Sequence, residues 1–165
     1  MSNPVVLVYA GPNGSGKSTA TKAIPHIGEY VNADELKKEQ SLTDLEAAQK
    51  AETLRNIFLE RRANFTFETV LSTERNLLLL KKAKEYGYEI QCIYVLTCNA
   101  DINVARVKVR TREGGHDVPE DKIRSRYNKA LELLPQVIDV CDNVLLTLNL
   151  HFFIQAYKVC QEATA

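Results

Sequence analysis

Hydrophobic residues fall into short continuous runs, and the segments between these runs have helical periodicity. The run from Val5 to Tyr9 and the run from Ile90 to Thr97 are rich in β-branched and aromatic residues, as expected of parallel strands buried on both faces. Further strands are predicted over 29–33, 65–70 and 144–148. Strands that alternate with helices predict an α/β fold with a mostly parallel sheet flanked by helices.

Local start and stop signals mark the helices between these strands. Thr43 and Glu46 form a capping-box pattern at the start of a helix predicted to end near Asn64. The tail after residue 148 has Leu150 and Tyr157 on one helical stripe with Phe153 and Cys160, which predicts a helix packed on the sheet. The remaining helices are predicted over 17–24, 73–87 and 100–112 and from Pro119 onward.

Composition limits the class of protein and its partners. A length of 165 residues fits one domain, taken as residues 1–165, with 45% hydrophobic and 25% charged residues. The chain has 21 basic and 21 acidic residues, hence no net charge. Nucleic-acid and anionic-membrane binders have a basic excess, so we expect neither partner.

The sequence also predicts a cytoplasmic location. The first apolar run is too short to span a bilayer and has no basic segment before it. The four cysteines, Cys92, Cys98, Cys141 and Cys160, form no CxxC pair and no metal-ligand spacing. A chain without a disulfide framework suits a reducing compartment.

A phosphate-binding motif follows the first strand. Gly11-x-x-x-x-Gly16-Lys17-Ser18 matches every fixed position of the P-loop, between a buried strand and a helix. Backbone N–H groups of such a loop surround phosphates, the lysine reaches the β- and γ-phosphates, and the serine hydroxyl ligates Mg²⁺. The sequence therefore predicts an ATP and Mg²⁺ site with Ser18 as metal ligand, built from Gly11, Asn13, Gly14, Ser15, Gly16, Lys17, Ser18 and Thr19.

A P-loop alone is shared by kinases, GTPases, motor ATPases and inactive nucleotide binders. The chain has no Asn-Lys-x-Asp segment to recognise guanine. The run that ends at Thr97 lacks the terminal aspartate with which motors commonly hold Mg²⁺. A compact chain with charged segments after its last large strands is more typical of a small-molecule kinase, and an inactive nucleotide binder stays open as an alternative.

Two polar clusters follow other predicted strands, at the sheet edge where α/β proteins bind ligands. Asp34, in Asn32-Ala33-Asp34-Glu35, could accept the proton of an acceptor hydroxyl, or could only cap the next helix. Glu68, Thr69 and Ser72 could contact the acceptor, or could have a structural hydrogen-bonding role.

Five arginines lie within 21 residues, around Gly114-Gly115: Arg106, Arg110, Arg112, Arg124 and Arg126. Arg106 and Arg110 are four residues apart and share a helix face. Two such helices could close over ATP as a lid, at about residues 100–130, and offset charge on the transferred phosphoryl group. The alternative is a solvated charged surface.

Taken together, these segments resemble the zeta-toxin family of P-loop kinases. The resemblance covers about residues 4–148 and depends on the P-loop, Asn-Ala-Asp, Phe-Glu-Thr-x-Leu-Ser and Gly-Gly-His-Asp-Val-Pro-Glu-Asp-Lys-Ile-Arg-Ser-Arg-Tyr. It implies transfer of the ATP γ-phosphoryl group to a hydroxyl of UDP-N-acetylglucosamine, and an antitoxin that covers the nucleotide site.

The resemblance also implies roles for individual residues. Asp34 matches the family's catalytic base, and Glu68 and Thr69 match part of its acceptor-binding segment. Arg106, Arg110 and Arg126 look like its phosphate-contacting arginines. The chain departs from the family where an arginine should closely follow the Glu68 segment, because Arg75 comes late. Two alternatives therefore stay open: a kinase for another metabolite, and a nucleotide-binding partner module without acceptor chemistry.

Overall fold

The computed structural model describes residues 3–150 and 153–160, in which six strands and six helices form three layers. The strands are β1 Val5–Ala10, β2 Glu29–Val31, β3 Phe65–Thr69, β4 Glu89–Leu96, β5 Asn143–Leu150 and β6 Phe153–Cys160. The helices are α1 Lys17–Ala23, α2 Ala33–Gln40, α3 Asp44–Glu60, α4 Glu74–Glu85, α5 Ala100–Arg112 and α6 Glu120–Val140.

All strands lie in one sheet, in the order β2-β3-β1-β4-β5-β6. Neighbours among β1 to β5 pair in parallel, and β6 pairs antiparallel to β5. The predicted mostly parallel α/β fold is therefore confirmed. Because parallel strands end at the same edge, the segments after β1, β2, β3 and β4 meet there.

The sheet is buried on both faces, which explains the continuous hydrophobic runs. On one face, Val6 and Val8 of β1 belong to a large core that includes Leu59 of α3, Leu80 of α4 and Val137 of α6. On the other face, Leu7 and Tyr9 pack with Ile93, Val95 and Ala20. The P-loop thus extends from a strand that is buried at every residue but its first.

The tail differs from its prediction. Residues 153–160 form strand β6 rather than a helix, with Phe153 opposite Leu150 and Cys160 opposite Asn143. Aromatic and β-branched residues favour a strand here, and β5 would otherwise expose an unpaired sheet edge. The helical spacing of four apolar residues was too short a pattern to decide between the two.

Most other boundaries agree with the sequence. The capping box of Thr43 and Glu46 is present, although α3 ends at Glu60 rather than near Asn64. Helix α5 has the predicted bounds. In residues 3–150 and 153–160, every helix is too short or too polar to cross a membrane.

Candidate active site

A cleft of about 430 Å³ opens at the carboxyl ends of the central strands. Four cationic side chains and two carboxylates line it, which gives it an excess of positive charge in a protein whose net charge is zero. Such a surplus suits a polyanionic ligand. The lining residues are Asn13, Gly14, Gly16, Lys17, Ser18, Thr19, Asn32, Ala33, Asp34, Glu68, Thr69, Val70, Arg106, Val107, Arg110, His116, Val118 and Arg126.

The P-loop forms one wall, and two of its glycines are required by close backbone approaches. Gly11 has φ of 143°, and a Cβ there would lie 2.1 Å from the carbonyl oxygen of Val95. Gly14 has φ of 76°, and its Cβ would lie 2.6 Å from the carbonyl oxygen of Asn103. Both positions combine a backbone conformation that favours glycine with space for no side chain.

Lys17 begins α1 and is buried in the loop. Its Nζ donates hydrogen bonds to the carbonyl oxygens of Gly11 at 2.8 Å and Pro12 at 3.1 Å. Burial lowers the pKa of Lys17; Glu68, whose Oε1 is 4.0 Å from Nζ, opposes the shift, and Arg110 adds to it. Because burial disfavours the charged form of Lys17, a bound phosphate next to Nζ would stabilise that charge.

Asn103 of α5 holds the loop in place, and the sequence prediction missed it. Its side chain is fully buried; Nδ2 donates to the carbonyl oxygen of Asn13 at 2.7 Å, and Oδ1 accepts from the Thr97 hydroxyl. One sequence signal was available, since Asn103 lies four residues before Val107 on the buried face of its helix. A polar residue on an apolar face normally has a specific partner.

Asp34 lies on the opposite wall, in the first turn of α2. Asn32, rather than Asp34, caps this helix, because the Asn32 Oδ1 accepts from the Asp34 backbone N–H at 2.9 Å. The alternative that the Asp34 side chain only caps α2 is therefore wrong. Asp34 is exposed, and it lines the cleft. A carboxylate there is available for proton transfer.

Glu68 is the penultimate residue of the adjacent strand β3, and its carboxyl interacts electrostatically with both Lys17 and Asp34. Burial raises the pKa of the Glu68 carboxyl, Lys17 opposes this shift, and Asp34 adds to it. Oε2 accepts a hydrogen bond from the Tyr30 hydroxyl at 3.3 Å.

Thr69 also lines the cleft, but its hydroxyl accepts from Leu71 N at 3.0 Å and Asn76 Nδ2 at 2.6 Å. That hydroxyl shapes the turn after β3.

Three of the five arginines line the cleft, and two of these contact the P-loop. Arg106 donates to the carbonyl oxygen of Ser15, and Arg126 donates to Oδ1 of Asn13, both at 3.3 Å. Arg110 donates to the carbonyl oxygen of His116 at 2.7 Å. Helices α5 and α6 share a small core of their own, formed by Val104, Val107, Val118 and Ile123. The predicted lid segment is therefore a packed helix pair at the mouth of the cleft.

The other two arginines, Arg112 and Arg124, belong to a solvated charged surface, which was the alternative to a lid. Arg124 forms salt bridges with Asp101 at 2.7 Å and Glu120 at 2.9 Å, and Arg112 is exposed. Neither lines the cleft.

Three other predicted site residues also lie outside the cleft surface. Ser72 does not line the cleft, and its half-buried side chain lies in the turn before α4. Gly11 and Ser15 are buried within the P-loop itself and do not line the cleft.

Ser18 is the residue that fits a magnesium ligand. Its side chain is exposed to the cleft at the start of α1, next to Lys17. Among the residues that the structure describes, no three histidine, cysteine or carboxylate side chains cluster to hold a metal. A single hydroxyl suits Mg²⁺, which keeps several waters and relies on substrate phosphates for its other ligands.

A parallel sheet, a P-loop after its central strand and an arginine-bearing helix pair together define a P-loop phosphotransferase. The chain belongs to the zeta-toxin family, whose model matches residues 21–145. A protein of Haemophilus influenzae is 32% identical over 137 residues, which cover 77% of this chain and 94% of that protein.

Two solved structures share the fold. One is from the PezAT chromosomal toxin–antitoxin system of Streptococcus pneumoniae, with a TM-score of 0.62, 15% identity, and coverage of 96% of this chain and 72% of that chain. The other is the AvrRxo1-ORF1:-ORF2 complex with ATP, with a TM-score of 0.73 and 16% identity. The match covers 95% of this chain but only 57% of the AvrRxo1 chain.

Proposed function

We propose that this protein is a zeta-toxin-like kinase that transfers the γ-phosphoryl group of ATP to a hydroxyl of a nucleotide sugar. The observation that carries the proposal is that one cleft has cationic side chains on one side and carboxylates on the other. Lys17, Arg106, Arg110 and Arg126 stand on the P-loop and lid side, and Asp34 and Glu68 stand on the other. The cationic side, here called the phosphate wall, suits a phosphate donor, and the side with Asp34 and Glu68, here called the acceptor wall, suits a hydroxyl acceptor.

The P-loop and lid would hold the triphosphate. Backbone N–H groups of the loop and the start of α1 suit the phosphate oxygens, and Lys17 can turn from its carbonyl partners to the β- and γ-phosphates. Mg²⁺, held by the Ser18 hydroxyl and by phosphate oxygens, would neutralise charge on the phosphates. Arg110 and Arg126 would stabilise the charge that develops on the transferred group.

Asp34 is proposed as the general base. As the acceptor oxygen bonds to the γ-phosphorus, the bond from that phosphorus to the β-phosphate oxygen breaks, ADP leaves, and the hydroxyl proton passes to Asp34. Asp34 suits this step better than Glu68, because it is exposed to the cleft and Glu68 is engaged with Tyr30 and Lys17. Glu68 is proposed to orient the acceptor.

UDP-N-acetylglucosamine is the first acceptor to test, on the basis of the family. The protein, ATP and Mg²⁺ are incubated with this compound, and mass spectrometry should find a product one phosphoryl group heavier. The Asp34→Asn variant should not form it. If the compound stays unmodified while an extract yields an Asp34-dependent product, the kinase stands and the nucleotide-sugar acceptor is wrong.

A kinase for another small metabolite is the second candidate, and the position of Arg75 favours it. This arginine is exposed, pairs with Glu52 of α3 at 3.3 Å, and does not line the cleft. It therefore does not supply the cation expected next to the Glu68 segment. If no extract yields an Asp34-dependent product, a nucleotide-binding partner module becomes the better interpretation.

We also propose that the protein is the toxin of a toxin–antitoxin pair, with an antitoxin protein as its partner. The family and the structural similarity to the PezAT system support this proposal. Expression of the wild-type chain, but not of Asp34→Asn, should arrest growth, and co-expression of a short helical protein encoded next to it should restore growth. Growth that is unaffected by the wild-type chain would contradict the toxin assignment.

A further inference from the structure

The hydroxyl of Tyr30 lies between the two carboxylate-bearing segments of the acceptor wall. It donates to Glu68 Oε2 at 3.3 Å and accepts from Asn32 Nδ2 at 2.9 Å. The Tyr30 ring is half-buried on β2 and stacks on His26 with ring centroids 4.0 Å apart. This stacking fixes the ring, and the ring fixes the direction of the hydroxyl.

Asn32 extends the connection to Asp34. While its Nδ2 donates to Tyr30, its Oδ1 accepts from the Asp34 backbone N–H at 2.9 Å and caps α2. Both ends of the amide are therefore used, and a chain of hydrogen bonds leads from the Glu68 carboxylate through Tyr30 and Asn32 to the backbone N–H of Asp34. Such chains are cooperative, so that removal of one member weakens the others.

The sheet cannot supply this connection. Backbone pairing between β2 and β3 stops at Val31 and Phe67. Asn32 is the first residue after β2, and Glu68 is the next residue of β3. Tyr30 lies two residues before Asn32 and opposite Thr66, two residues before Glu68, so the three side chains share one face. Beyond the last backbone pair, the Tyr30 hydroxyl links the two segments.

We infer that Tyr30 is a positioning residue that sets the orientation of Glu68 and Asp34 toward the acceptor. The inference rests on the proposed function, and it gives a role to a residue that does not itself line the cleft. Burial raises the pKa of Tyr30 to about 12. The hydroxyl therefore keeps its proton, and its donation to Glu68, throughout the neutral range.

The test compares Tyr30→Phe with Tyr9→Phe. Both changes remove one hydroxyl and keep the ring. The Tyr9 hydroxyl, however, donates to the carbonyl oxygen of Ile24 at 3.0 Å rather than to Glu68, although Tyr9 lies on the same side of the sheet. With UDP-N-acetylglucosamine, or the extract compound that the wild-type protein phosphorylates, Tyr30→Phe should lower kcat/KM about tenfold. Its ATP affinity should equal that of Tyr9→Phe.

A double-mutant cycle separates positioning from general stability. In the Glu68→Ala background, which removes the carboxylate that accepts from Tyr30, the loss caused by Tyr30→Phe should be clearly smaller than in the wild type, because the two residues act together. Additive effects, or equal kcat/KM for Tyr30→Phe and Tyr9→Phe, would overturn the inference.

Asp34→Asn is measured alongside these variants, so that failure of the inference can be told from failure of the proposed function. If Asp34→Asn loses transfer while Tyr30→Phe does not, only the inference fails. If the wild-type protein transfers phosphate to no acceptor, both fail.

Discussion

The two walls of the cleft are held in place by different kinds of structure. On the phosphate wall, backbone contacts and the fully buried Asn103 fix the loop, and a Cβ at Gly11 or Gly14 would collide with neighbouring backbone. On the acceptor wall, Asn32 follows the three-residue edge strand β2, Glu68 lies near the end of the neighbouring strand β3, and side-chain hydrogen bonds through Tyr30 connect them. The first wall suits an invariant ligand such as triphosphate, and the second can vary with the acceptor.

The largest expected effect is the loss of ATP binding in Lys17→Ala. Lys17 is the buried cation of the phosphate wall, and no neighbouring ammonium can replace it among the residues that line the cleft. Calorimetry should show binding that is abolished or severely weakened, with the fold retained. Lys22→Ala changes an exposed lysine of the same helix and should bind ATP normally. Wild-type affinity in Lys17→Ala would remove the basis for a nucleotide site.

A smaller effect is expected from the lid arginines, and it should appear in turnover. Arg110→Ala and Arg126→Ala should each lower kcat by about 10²-fold, because donors aimed at developing charge act mainly in the transition state. ATP affinity should change less. Arg112→Ala is the matched control, an exposed arginine of the same segment that does not line the cleft. If all three variants turn over at the wild-type rate, the lid arginines are only a charged surface.

The smallest effect is on stability and concerns Glu68 on the acceptor wall. Burial raises the pKa of this carboxyl even though Lys17 opposes the shift, so the folded state binds a proton more readily than the unfolded state. Stability of the wild type should therefore fall as pH rises from the ordinary carboxyl range through the raised pKa of Glu68.

Glu68→Gln should remove this dependence and be more stable by about 1 kcal/mol at neutral pH. The difference should shrink on acidification, and urea unfolding across a pH series would measure it. Glu60→Gln, at the exposed end of α3, should stay within about 0.5 kcal/mol of the wild type. A Glu68→Gln variant less stable than the wild type at neutral pH would show that Lys17 outweighs the burial of the carboxyl.

The contrast between the walls also explains what could be predicted from the sequence. The P-loop is a local motif, so its strand, turn and helix were predicted within a residue or so. The same holds for α5 and for the capping box of α3, which depend on neighbouring residues. Assignment of Asn32-Ala33-Asp34 to a strand end was also nearly right, with β2 ending at Val31.

Features that depend on distant pairing were not predictable in the same way. Tyr30 meets Glu68 only because β2 pairs with β3, 38 residues further along the chain. The role of Asn32 as cap depends on where β2 ends, and β6 depends on the open edge of β5. No local pattern distinguishes such residues from ordinary polar or aromatic positions.

The central claim is that the cleft joins a nucleotide wall to an acceptor wall whose base is Asp34. The most direct measurement is ATP affinity and the rate of phosphoryl transfer in Asp34→Asn, with Glu35→Gln in the same first turn of α2 as the control. The account predicts ATP binding near the wild-type value in both variants. It also predicts a 10²–10⁴-fold loss of transfer in Asp34→Asn alone, as is typical of a lost general base. Transfer at the wild-type rate in Asp34→Asn would contradict the account.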